Sequence, residues 1–179
     1  MREKNKELYE KYWEKVRNLK PVIEYDEIYK DCHLLVVFNH MGFRCGYIGL
    51  NDLETSEDEL DEILQFHYGI TFDRTTEDIL KEKTAMITKY VKPDYKRYVG
   101  FDAGHFTDKN DIITLAKHAG LSEAEIEYGK SIFPSDKKAT VKSLNFMVNN
   151  LKQGVKNLEE LWRNTKIKSR RKRQWTPQH

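Results

Sequence analysis

The polar–apolar rhythm of the chain begins as a helical one. In KNKELYEKYWEKVRNLK, Leu8, Tyr12, Val16 and Leu19 recur at steps of three and four and stop before Pro21, which predicts an amphipathic helix. The rhythm then changes. HLLVVFNHMGFRCGYIGL holds two apolar, β-branched runs separated by Asn-His-Met-Gly, which predicts a hairpin turning on Asn39 and Gly42 at the centre of a sheet. TSEDELDEIL offers Ser56 as N-cap with Glu59 three residues on, a capping box with acids in the first turn. FHYGITF reads as a further strand, TTEDILKEKTAMITKYVKP as a helix with Ile79, Met86, Ile87 and Tyr90 inward, and RYVGFD as the next strand.

From there the pattern is helical. KNDIITLAKHAG ends on Gly120 in a C-cap position; Ser122 with Glu125 forms a second capping box, and Leu121 with Ile126 is placed for a hydrophobic staple. Val141, Leu144, Val148, Leu151, Val155, Leu158 and Trp162 then alternate steps of three and four, a heptad seam that either packs on the domain's own sheet or joins two copies. With strands in the middle and helices at both ends, the expected class is α+β: a mainly antiparallel sheet of about four strands, helices on one face, an N-terminal helix and a long C-terminal helix over about 136–164. The expected organisation is one domain over 1–165 with its core in 33–118, followed by a basic, disordered tail over 166–179.

Composition changes this picture at one place. Lys plus Arg number 31 against 29 Asp plus Glu, a balance that gives no global reason for a nucleic-acid partner. Six of the basic residues lie in KIKSRRKR at 166–173, and no acid follows Glu160, so the body is mildly acidic and the tail could touch phosphate backbones weakly. Trp175 in that tail favours docking onto a partner. Two cysteines do not make a disulfide framework, no leader pattern opens the chain, and LLVVF is too short to span a bilayer. The expectation is a reduced, cytoplasmic protein, acting in a host cell, with no membrane partner.

Three segments combine glycine, an aromatic and a polar group at an expected strand edge: HMGFRCGYIG, FHYGITF and YVGFDAGH. Gly42 with CGYIG at 45–49, HYGITF at 67–72 and GFDAGHFTD at 100–108 resemble, in order and spacing, a family of short uncharacterised phage and prophage proteins. There the blocks read C-G-Y-V, H-G-G-[IL]-T and G-F-D-C-A-H-x-x-D, and the likeness covers about residues 33–118. Ala103 stands where the family has Cys, which argues against a cysteine nucleophile there, and Tyr68 replaces the first glycine of the second block. The resemblance implies a phage origin and a site, and no particular reaction.

Within these blocks Arg44 is the candidate for holding an anion, since a guanidinium can make bidentate bonds to phosphate. Tyr47 and Phe101 would line the pocket, and His67, Thr71, Asp102 and His105 would set its polarity. Asp102, His105 and Asp108 are weak metal candidates, because spacings of three and six converge only through an irregular turn and a fourth ligand must come from His67 or His40. The plainer alternative has Asp108 capping the helix that begins near Asn110. Cys45 reads as buried and inert. The leading functional expectation is capture of a small anionic, nucleotide-like ligand for counter-defence by sequestration, with no cofactor required. One alternative is a hydrolase, metal-assisted through a divalent ion or using His105 with Asp102 as general base. Another is an inhibitor of a host protein working through the acidic helix or the heptad seam.

Overall fold

The computed structural model describes residues 2–52, 54–83, 85–105, 107–133 and 138–174, with side chains from 6 to 164. In chain order the elements are α1 (Arg2–Asn18), β1 (Val22–Tyr29), β2 (Cys32–Phe38), β3 (Arg44–Leu50), α2 (Glu57–Leu64), β4 (Phe72–Thr75), α3 (Thr76–Glu82), β5 (Arg97–Asp102), α4 (Ile112–Ala119), α5 (Glu123–Ile132) and α6 (Leu144–Gln174). The fold is α+β. Its sheet has five strands in the order β1-β2-β3-β5-β4, every pair antiparallel. The strand beyond the expected set is β1. It joins β2 through Lys30 and Asp31, both in the left-handed region (φ 50° and 62°), a two-residue turn built without glycine.

Because side chains alternate across a strand, the central strands divide into two apolar faces. Leu34, Val36, Ile48, Leu50, Val99 and Phe101 meet Leu60 and Leu64 of α2 and Met147, Leu151, Val155 and Leu158 of α6. Of the expected seam, Leu151, Val155 and Leu158 are buried on this domain's own sheet and Leu144 and Val148 pack partly against it, while Val141 and Trp162 stay exposed. The opposite face, with Leu35, Val37, Tyr47 and Tyr98, is covered by Ile79 of α3 and by Ile87, Val91 and Tyr95. Both faces are covered, the second by a short helix and a run of turns. At one end Tyr12 and Val16 of α1 pack with Phe38, Ile112 and Leu115.

Both capping boxes form as the spacing predicts: Ser56 with Glu59 opens α2, and Ser122 with Glu125 opens α5. Gly120 is the left-handed C-cap of α4, and Asn39 with Gly42 makes the β2–β3 turn. Three boundaries differ from expectation, one of them the end of α6, which runs on to Gln174 through residues expected to be a disordered tail. The helix expected over 75–93 ends at Lys83, whose φ of 56° lets its N–H return to Ile79 O. The last helix starts at Leu144, because Thr140 first pairs with the 107–109 segment and the Ser143 hydroxyl takes the Phe146 N–H. Among the described residues no helix is long and apolar enough to cross a membrane. Trp175 and the side chains of the basic tail lie outside the described residues.

Candidate functional site

FHYGITF is the segment whose structure differs most from its reading. It is a tight turn, and β4 begins at its last residue. Gln65, Tyr68 and Gly69 all take positive φ (51°, 61° and 86°), and the Asp61 carboxylate accepts the Ile70 N–H at 2.7 Å. Three left-handed residues in five cannot run as a strand. The turn instead throws His67 outward from the sheet, where its N–H meets Asn150 Oδ1 of α6 at 3.3 Å.

The segment after β5 turns to meet it. His67 Nε2 lies 3.0 and 3.1 Å from the two oxygens of Asp108, whose side chain is fully buried. The His105 N–H donates to Asp108 Oδ2 at 3.2 Å, and Lys142 Nζ stands 3.4 Å from Oδ1. Burying a carboxylate requires such donors. Asp108 is thus the hub of a cluster, and α4 is capped instead by Asp111, which accepts the Thr114 N–H. Since the carboxylate can only accept, His67 donates from Nε2.

Rings enclose the cluster. Tyr68 lies 4.3 Å from His105, centroid to centroid, and its hydroxyl pairs with Thr107 Oγ1 at 2.7 Å. His67 and His105 are 5.9 Å apart, and Phe146 meets His67 edge-on at 5.2 Å. His105 Nε2 is buried and has no hydrogen-bond partner, a state shared among the described residues only by the Tyr12 hydroxyl. A buried, unpaired imidazole nitrogen calls for a partner.

The remaining residues singled out from the sequence do not join this cluster. Arg44 is 5 % exposed. Its Nε and one terminal nitrogen clasp Glu24 (2.5 and 3.1 Å), the other terminal nitrogen bonds Asp111 and the Lys142 carbonyl, and the guanidinium lies over Phe38. Burial opposes its charge, and Glu24 and Asp111 outweigh burial, holding it above the ordinary value. Its charge is already neutralised. Tyr47 and Phe101 are both buried and belong to opposite faces of the sheet, so they do not line one pocket. Thr71 is exposed and donates its N–H to Gly100 O. Asp102 accepts the Gly104 N–H at 2.9 Å, and His40 lies exposed in the β2–β3 turn. Among the described residues no three His, Cys, Asp or Glu side chains form a group suited to a metal ion, so Asp102, His105 and Asp108 do not converge as ligands. Cys45 is buried, its thiol pushed up to about 12 by burial with Asp102 adding to the effect.

The glycines also resolve. A Cβ on Gly100 would fall 2.5 Å from Gly46 O and 2.6 Å from the Tyr47 ring. That glycine makes room for a neighbouring strand, not for a ligand. Tyr68, Lys142, Phe146 and Asn150 are the members of the cluster that sequence reasoning did not anticipate. The two-strand bridge between Asp108 and Thr140 that delivers Lys142 has no local signature.

Known proteins add nothing to this geometry. The chain matches no family model, no curated protein and no solved structure.

Proposed function

We propose that the protein is a phage or prophage accessory protein that captures a small anionic, nucleotide-like ligand at the surface made by His67, Tyr68, His105 and Lys142, with sequestration in counter-defence as its use. One observation carries the choice of site: the buried His105 Nε2 without a partner beneath the Tyr68 ring. A ligand that hydrogen-bonds there satisfies the imidazole, Tyr68 offers a half-exposed ring for stacking, and Lys142, which already stands beside Asp108, adds a shared ammonium at the edge. The phage origin rests on the likeness of the three sequence blocks.

A second reading, hydrolysis at the same place, is favoured by the His67–Asp108 pair. A histidine whose Nε2–H is held by a carboxylate presents Nδ1 as a general base, and a second imidazole nearby is suited to serve as the acid. Here Asp108 takes the orienting role expected of Asp102.

One experiment separates the readings. The purified chain is mixed with nucleoside monophosphates, nucleoside diphosphates and cyclic dinucleotides, and both the melting temperature and the products are followed. A bound ligand at about a hundredfold its Kd raises the melting temperature by about 5–10 °C. The rise disappears in His105→Gln and weakens in Lys142→Ala, both of which melt cooperatively. Turnover with a bell-shaped pH profile, lost in His67→Gln, selects the hydrolase. A flat response to the whole panel removes both.

A further inference from the structure

We infer a second binding site, for an amphipathic anion with an alkyl body, on the side of the sheet away from α6. A groove of about 560 Å³ lies there, floored by Leu80 of α3 with Met86 and Tyr90 of the following turns. Leu80 is 42 % exposed, and Met86 and Tyr90 are half-buried against the sheet. The volume falls in the range of small-ligand pockets.

The rim gives the groove its sign. Lys20, Lys83 and Lys89 border it, all exposed, and among the described residues no acidic side chain contributes to its wall. Most other described lysines of the body have carboxylate neighbours, as Lys15 has Glu125, Lys92 has Asp26 and Lys152 has Glu27. The ammonium groups of Lys20, Lys83 and Lys89 have none among the described residues. Like charges around an apolar trough repel one another until an anion arrives, so the trough favours a ligand that buries a hydrocarbon and leaves a negative head at the rim. Methionine suits the floor, because its unbranched, polarisable chain adapts to an alkyl guest. A simple alkyl carboxylate fits this description, the alkyl body against Leu80, Met86 and Tyr90 and the carboxylate between the lysines. The site shares no residue with the His67–His105 cluster and stands or falls separately from it.

The methionines report on it directly. The chain has four, of which Met86 is in the groove, Met147 in the core under α6 and Met41 exposed in the β2–β3 turn. With ¹³C-methyl methionine, decanoate below its micelle threshold should move the Met86 signal saturably and leave Met41 and Met147 in place. Decanol should bind at least about tenfold more weakly, and so should decanoate to the Lys83→Glu, Lys89→Glu double variant, a loss of about 1.4 kcal/mol. The inference fails if Met86 does not move, if Met41 moves in step with it, or if decanol or the double variant binds as well. It also fails if an acidic helical peptide moves Met86 where decanoate does not, which would make the groove a peptide-docking surface.

Discussion

Arg44 shows how one residue type at one position can serve two chemistries. A free arginine beside a glycine turn binds phosphate; this one faces Glu24 and Asp111 across a buried contact and links β1, β3 and α4. Removing it leaves two carboxylates without their cation, so Arg44→Met should cost about 3–5 kcal/mol in urea unfolding. An arginine held for a ligand would behave otherwise, losing binding and little stability. A second buried network has a sign set by pH. The Lys92 N–H donates to the Tyr98 hydroxyl and His33 Nε2 donates to Asp26, and with a neutral ring the Tyr98 hydroxyl donates to His33 Nδ1. This arrangement holds a neutral imidazole, and burial pushes the fully buried His33 below its ordinary value of 6.5 while Asp26 opposes the shift. A depressed value means that the unfolded chain takes up a proton at a pH where the folded chain does not. His33 therefore contributes its full stability above 6.5 and loses it as the pH falls from there toward the lowered folded value. The gap in melting temperature between the wild type and His33→Gln should be widest above neutrality and narrow as the pH falls below 6.5.

At the scale of elements, what could be read from the sequence was what is local in it. The capping boxes of α2 and α5, the Asn39–Gly42 turn and the central strands follow from residues within a few positions of one another. β1 escaped because its turn uses Lys30 and Asp31 in place of glycine, and because its outer residues alternate acids with Tyr and Ile in a way that also suits a loop. FHYGITF reads as a strand because its aromatic and β-branched composition outweighs a conformation that only Gly69 advertises; Gln65 and Tyr68 are held left-handed by their surroundings. The same error hid the site. A strand would have kept His67 in the sheet, and only the turn carries it to Asp108. His67, His105 and Asp108 are each legible as polar residues of glycine-containing blocks, but His67 and Asp108 meet across 41 positions of chain, for which no spacing rule exists. The false members of the expected pocket, Tyr47 and Phe101, fail for a simpler reason. They sit on paired strands with opposite side-chain direction, which the register decides and composition does not.

On the scale of the whole molecule, the sheet works as a partition. One face is closed by the long helix α6 with the short α2 and ends at the histidine cluster; the other, under α3 and the turns that follow, carries the lysine-rimmed groove. This division depends on where α6 spends its apolar side. If Met147, Leu151, Val155 and Leu158 lie on the sheet of their own chain, as their burial shows, they are not free to bind a second copy. Concentration distinguishes the two uses of the seam. Stability gained from a chain's own core is indifferent to how much protein is present, whereas stability gained from association rises with it. Leu151 is fully buried and also fills the space beside Gly46, so Leu151→Ala should leave a cavity and cost about 2–5 kcal/mol. That cost should be the same at low and high protein concentration, with the wild-type melting temperature equally unmoved. A melting temperature that climbs with concentration in the wild type and stops doing so in Leu151→Ala would show that the seam joins chains, and the closed face of the sheet would have to be reassigned as an interface.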